Sequence, residues 1–239
     1  MKPKIILSDF KSILPKIEIK QKDTFEFIHK LHSLENKNEK LSVLINRYGV
    51  KESQISKRLF EDTDLVNQNA DINERMLFFD HRAREIFLKF YAETFEPPDH
   101  IIHVTCTGYV ATSAAQFLVN QKKWALNTKV THAYHMGCFA AISATRMAEG
   151  FVMARDKHVD IVHTEMCGLH MDVHDHSPEQ MVVQSLFADG HIRYTASDGA
   201  QAKTGFRILN FCEQIIPDTQ TDMSWVPASW GMKMTVSRN

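Results

Sequence analysis

Cysteine is scarce in this chain, with four among 239 residues, at positions 106, 138, 167 and 212, and no two in CxxC spacing. That excludes a disulfide-built scaffold, which needs closely spaced pairs in a short secreted chain, and makes reduced thiols the expectation. Long apolar runs are missing too. None approaches the ~20 residues that cross a bilayer, and the apolar part of Met1-Lys-Pro-Lys-Ile-Ile-Leu-Ser-Asp9 is too short for a secretory signal. No membrane role follows, and the expected location is the cytoplasm. Neither sign of charge is in excess: 28 Lys and Arg face 29 Asp and Glu, for a net charge of -1. Bulk electrostatics therefore points to neither nucleic acid nor an anionic surface as partner. Low-complexity tracts and short internal repeats are absent as well. The remainder is an ordinary globular composition, long enough for one sizeable core or at most two small ones.

Residues 1–99 read as mainly helical after an opening strand near Lys4–Ser8. Phe25, Phe27, Ile28, Leu31 and Leu34, then Leu41, Leu44, Ile45 and Tyr48, recur at helical spacing, with Asn36-Lys-Asn-Glu39 between the two runs. Packing is the reading of these aromatics. Asp71-Ile-Asn-Glu74 has the form of a capping box and predicts a helix to about Thr94, ending before Pro97-Pro98. From there strands alternate with helices. Ile101–Thr105, Lys129–Ala133 and Val159–Glu165 read as strands. Helices are expected after Cys106 to about Leu126, over Met136–Met153 and over Pro178–Phe187. Gly190–Ser197, Thr204–Gln214 and Trp230–Ser237 close the chain as antiparallel strands. Such alternation implies an α/β layer protein.

The candidate reactive stretch is His100-Ile-Ile-His-Val-Thr-Cys106-Thr-Gly-Tyr, a short strand that stops at a thiol and turns through Gly108 into a small-residue helix. A thiol at a helix N-terminus is favoured as thiolate, the form that attacks a carbonyl. The competing reading is a buried structural cysteine.

Three segments follow one another in the order and spacing seen in chalcone-synthase-like ketosynthases, the type III polyketide synthases of the thiolase superfamily. They are Val104-Thr-Cys-Thr-Gly-Tyr109, Tyr134-His-Met-Gly-Cys-Phe-Ala-Ala141 and Gln184-Ser-Leu-Phe-Ala-Asp-Gly190. The chain thus resembles that family. The resemblance implies a thiolase-like layered α-β-α fold, limited to one of two pseudo-equivalent halves, with a helical region over 1–99 and an α/β core over 100–239. It further implies that Cys106 carries the acyl chain as a thioester, that Phe187 stands between entry tunnel and cavity, and that Glu165 and His170 line the substrate pocket. Lys51, Lys57 and Arg58 fall where the family places cations that meet the phosphates of coenzyme A, although a solvated charged face explains them equally well.

No segment matches the histidine and asparagine that the family's second half supplies for the enolate and oxyanion. Loss of one such donor typically costs ~100 to 1000-fold in rate. A second subunit carrying that half is therefore expected, together with self-association into a dimer. Acyl-CoA or acyl carrier protein thioesters are the expected substrates, and no metal or redox cofactor is required. The alternative is a non-catalytic acyl-binding or interaction subunit. A metal-dependent hydrolase is suggested only by His170-Met-Asp-Val-His-Asp-His176, where Asp172 stands in place of the second histidine of an HxHxDH pattern. His174 and His176 read as solvent-facing, and His132 and His135 as structural.

Overall fold

The structure is a computed structural model that describes residues 5–31, 39–67, 70–199 and 204–236. Leu34 and Asn36–Asn38, with Lys4 and Ser237 at the ends of expected strands, lie outside the described residues. In chain order the elements are β1 (Ile5–Ile13), β2 (Ile17–Lys20), α1 (Thr24–Leu31), α2 (Glu39–Tyr48), β3 (Lys57–Phe60), α3 (Asp64–Asn67) and α4 (Ile72–Phe90). There follow β4 (His100–Thr105), α5 (Ala114–Gln121), β5 (Lys129–Tyr134), α6 (Ala140–Met153), β6 (His158–Met166), α7 (Pro178–Leu186) and β7 (Asp189–Asp198). Three short strands, β8 (Phe206–Arg207), β9 (Met223–Pro227) and β10 (Met232–Val236), complete the fold. The strand expected over Thr204–Gln214 is thus reduced to the two residues of β8. The chain divides into two compact units, one of Met1–Ile13, Phe78–Glu165 and His191–Gln214, the other of Leu14–Leu77, Met166–Gly190 and Ile215–Asn239. The division does not follow residue 99, and the region expected to be helical contains β2 and β3 as well.

The first unit is built on a six-stranded mixed sheet of order β5-β4-β6-β7-β1-β8. β4 is parallel to both β5 and β6, whereas β1 runs antiparallel to β7 and β8. Every residue of β4 is buried, as a central parallel strand covered on both faces requires, the polar His100, His103 and Thr105 included. Its two histidines satisfy their ring nitrogens internally. His103 lies 2.8 Å from the Tyr134 hydroxyl and 2.9 Å from that of Thr164, while His100 meets Asp156 and Thr131. Burial pushes His103 down to about 3, so the ring is neutral. On the sheet, Ala140, Ala144 and Ala148 of α6 pack with Ile5, Ile102, Val104, Val159 and Ile161. Alanines at that spacing let the helix axis approach the strands closely.

Helix starts are set by side chains. Ser113 caps α5 by accepting from the Gln116 amide, and the Gln116 side chain answers the Ser113 amide at 3.0 Å. The start lies well beyond the one expected just after Gly108, because the turns between Cys106 and Ser113 absorb that stretch.

In the second unit, Asp71 and Glu74 form the expected reciprocal cap of α4, with both bonds at 2.9 Å. β2 pairs antiparallel with β3, and β9 with β10. Phe60, Met171 and Val173 form one small core, and Ile28, Leu41, Ile45 and Met181 another. Two buried arginines tie its loops together. The Arg75 guanidinium donates to the carbonyls of Leu169 and Met171. Arg58 donates to those of Gln184 and Phe187.

Candidate active site

The first unit brings two strand-to-helix connections side by side. One leaves β4 through Cys106 and the other leaves β5 through Cys138. They are tied by a bond from the His135 amide to the Thr105 carbonyl at 2.9 Å.

At the end of β4, Glu165 organises the chain. The Cys106 amide donates to both of its carboxyl oxygens, at 2.9 and 3.0 Å. The hydroxyls of Thr107 and Thr105 donate to Oε2 at 2.8 and 3.3 Å. Burial raises Glu165 to about 7, and these donors only partly counter it. The same surroundings act on the neighbouring thiol. Burial first, and the Glu165 charge second, push Cys106 up to about 11. Gly108 is required here by close packing, because a Cβ on it would stand 1.9 Å from the Phe79 ring.

This corrects the expectation that Cys106 opens a helix. It does not sit at a helix N-terminus, since α5 begins only at Ala114, and no helix field offsets the carboxyl beside it. Near neutral pH Cys106 is a protonated thiol. Its sulfur accepts from the Gly137 amide at 3.2 Å and faces the Gly137 carbonyl at 3.6 Å.

The second connection has the geometry expected of the first. From Tyr134 the backbone passes through His135 and Gly137, at φ 54 and φ 84. The Ala140 amide then donates to the Gly137 carbonyl at 3.0 Å. Cys138 thus lies in the turn that opens α6, a 14-residue helix, and it is exposed. The helix-opening residue Phe139 provides no side-chain cap, and the first helical amide, that of Ala140, is met by the Gly137 carbonyl instead. Cys138 falls within the second of the three resembling segments, where sequence reasoning assigns it no role. The signal for it is the expected boundary between the strand Lys129–Ala133 and the helix Met136–Met153.

The remaining candidates belong to the second unit. Arg58 is 2% exposed, and its donors are taken by Gln21, Thr24 and the carbonyls of Gln184 and Phe187. That corrects its assignment to a phosphate, since no donor faces solvent and burial lowers it to about 10. Lys57 is paired with Glu18 at 2.6 Å, and Lys51 donates to the Asn46 carbonyl. His170, expected in the pocket, lies in the interior of the second unit. It is buried, its Nδ1 accepts from the Met232 amide at 3.0 Å, and its ring meets Trp225 edge-on. Phe187 ends α7, with its amide bonded to the Val183 carbonyl. Among the described residues no group of three or more His, Cys, Asp and Glu is placed to hold a metal ion. No described helix is long and apolar enough to cross a membrane.

The layered arrangement of mixed sheet and helices matches the thiolase-like fold of type III polyketide synthases. The chain is chalcone-synthase-like in sequence as well. It is 22% identical over 231 residues to 1,3,6,8-tetrahydroxynaphthalene synthase of Streptomyces griseus, covering 94% of this chain and 61% of that protein. It is 26% identical over 145 residues to 3,5-dihydroxyphenylacetyl-CoA synthase of Amycolatopsis orientalis, covering 60% of this chain and 39% of that one. The chain therefore spans less than two thirds of the length of either relative. Among solved structures, 1,3,6,8-tetrahydroxynaphthalene synthase of Streptomyces coelicolor A3(2), a bacterial type III polyketide synthase, superposes with a TM-score of 0.81 at 20% identity, over 98% of this chain and 68% of that one. PKS-I of the brown alga Ectocarpus siliculosus gives 0.82 at 15% identity, over 100% and 68%. No family model matches the chain.

Proposed function

We propose that this chain is the acyl-accepting part of a ketosynthase of the type III polyketide synthase kind, with Cys138 as nucleophile. The Cys138 thiolate attacks the carbonyl of an acyl thioester held by coenzyme A or an acyl carrier protein, and the carrier leaves as thiolate and takes up the proton that the Cys138 thiol had given up. Loss of carbon dioxide from a malonyl thioester leaves an enolate, which attacks the carbonyl of the Cys138 thioester, forms the new carbon-carbon bond and releases the Cys138 thiolate. The observation that carries this reading is the exposed Cys138 thiol at the opening of α6. The relatives named above support the reaction class.

Condensation needs donors aimed at the enolate oxygen, and we assign these to a second polypeptide. Exposed apolar side chains in the first unit, Phe10, Phe206 and Leu209, favour a covering partner. The outer position of β5 in the sheet of the described residues favours self-association.

The test is incubation with acetyl-CoA and malonyl-CoA followed by residue-resolved mass spectrometry. An acyl adduct on Cys138, lost in Cys138→Ala and kept in Cys106→Ala, is expected. An adduct on Cys106 alone would reverse the assignment of the nucleophile. Absence of any adduct would favour the non-catalytic acyl-binding or interaction subunit. Condensation by the lone chain would remove the second polypeptide, and a monomer by light scattering would remove the dimer.

A further inference from the structure

The thiol of Cys106 bridges the two peptide planes that meet at Gly137. Its sulfur accepts the Gly137 N–H at 3.2 Å, which belongs to the peptide from Met136, and it faces the Gly137 carbonyl at 3.6 Å, which belongs to the peptide leading to Cys138. Gly137 has φ 84, in the left-handed region. Glycine adopts that region readily, but it adopts others as readily. Its own φ therefore needs an external restraint, and the bridge supplies one from both sides. The second restraint is the Ala140 amide, which donates to the same carbonyl at 3.0 Å and closes the turn over Cys138 and Phe139.

The bridging side chain is itself held. The Cys106 amide is fixed on both oxygens of Glu165, which is gripped in turn by the hydroxyls of Thr107 and Thr105.

We propose that Cys106 is a positioning residue for Cys138, its sulfur locking Gly137 so that the Cys138 thiol is presented at the first turn of α6. This rests on the assignment of Cys138 as nucleophile. The role requires the protonated thiol, because only that form donates to one peptide while accepting from the other. The burial and carboxyl neighbour that keep Cys106 protonated are thus suited to the clamp and opposed to nucleophilic attack.

The test needs no acyl donor, so it can fail without touching the acyl-transfer reading. In the full-length chain, iodoacetamide alkylation is followed at Cys138 by peptide mass spectrometry across pH 5–10, because Cys212 is also exposed. In Cys106→Ala the freed turn should slow Cys138 alkylation at pH 7 about tenfold. Cys106→Ser, which can still donate and accept, should return the rate to within about threefold of the original. A Cys106→Ala profile that superimposes on the parent would overturn the proposal. So would equal slowing in both variants, which would mark a role of volume alone. If Cys106→Ala does not fold, the isosteric pair Cys106→Thr and Cys106→Val asks the same question, and equal profiles in that pair would again refute the clamp.

Discussion

The connection after β4 and the connection after β5 each carry a cysteine between a parallel strand and a helix, and they treat it in opposite ways. Around Cys106 a carboxyl takes the backbone amide and α5 begins only at Ala114. Around Cys138 the chain enters α6 almost at once, and the side chain is exposed. Under the proposed assignment of Cys138, a strand followed by cysteine and then by a helix is an incomplete description of a reactive thiol. What decides is the distance to the first helical turn and the sign of the nearest charge.

The sharpest way to break this comparison is to exchange the two thiols for methyl groups. Cys138→Ala should lower acyl loading by more than about 100-fold, whereas Cys106→Ala should lower it by about tenfold, as read from initial rates of adduct formation. Equal losses would erase the distinction.

The glycines offer a second contrast. Gly108→Ala would drive a methyl group into the Phe79 ring, itself 2% exposed at the packed face of α4, and should cost about 2 to 4 kcal/mol in urea unfolding.

Third, Glu165 makes the β4 side pH-sensitive. Its folded pKa, about 7, lies above the ordinary carboxylate value. Its favourable contribution is therefore fully present below about pH 4 and is lost as the pH rises through 7, on the order of 3 kcal/mol. Thermal melts of the parent should decline over that window relative to Glu165→Gln, and parallel curves would show that the carboxyl does not ionise there.

The smallest effect is expected on the β5 side. Gly137→Ala places a side chain at φ 84, with the Phe139 ring 3.2 Å from the new carbon, and should cost about 1 kcal/mol. A loss as large as that of Gly108→Ala would mean that the second connection is as tightly packed as the first.

Much of the architecture is legible because it is written locally. The apolar run Ile101–Thr105 marks β4, the pair Asp71 and Glu74 marks the start of α4, and Ser177 with Pro178 opens α7. What escapes depends on partners remote in sequence. β2 and β3 are each four residues long and pair with one another, so the alternation Ile17-Glu-Ile-Lys20 is too short to stand out beside the helical runs that follow it. The helix expected after Gly108 is shorter because Ala111, Ala114 and Ala115 suit a helix equally well wherever it begins, and Ser113 alone fixes the point.

The same holds for the candidate site. Resemblance singles out Glu165, but its grip on the Cys106 amide cannot be read from spacing. Arg58 looks like a surface cation among charged neighbours until the carbonyls of Gln184 and Phe187 claim it. Cys138 is legible too, but the strand before Cys106 is the more apolar of the two and draws the assignment.

The place of β1 in the sheet bears on how the polypeptide is made. It leaves the ribosome long before β7 and β8, the two strands between which it lies, with Ile5 opposite Asp198. During translation Ile5 and Ile6, which end up almost wholly shielded, therefore wait for neighbours that do not yet exist. Such delayed pairing is slow and leaves sticky surface in reach of other nascent chains. Yield in cell-free synthesis should rise with an added holdase chaperone, and refolding after dilution from denaturant should be limited by the docking of this strand.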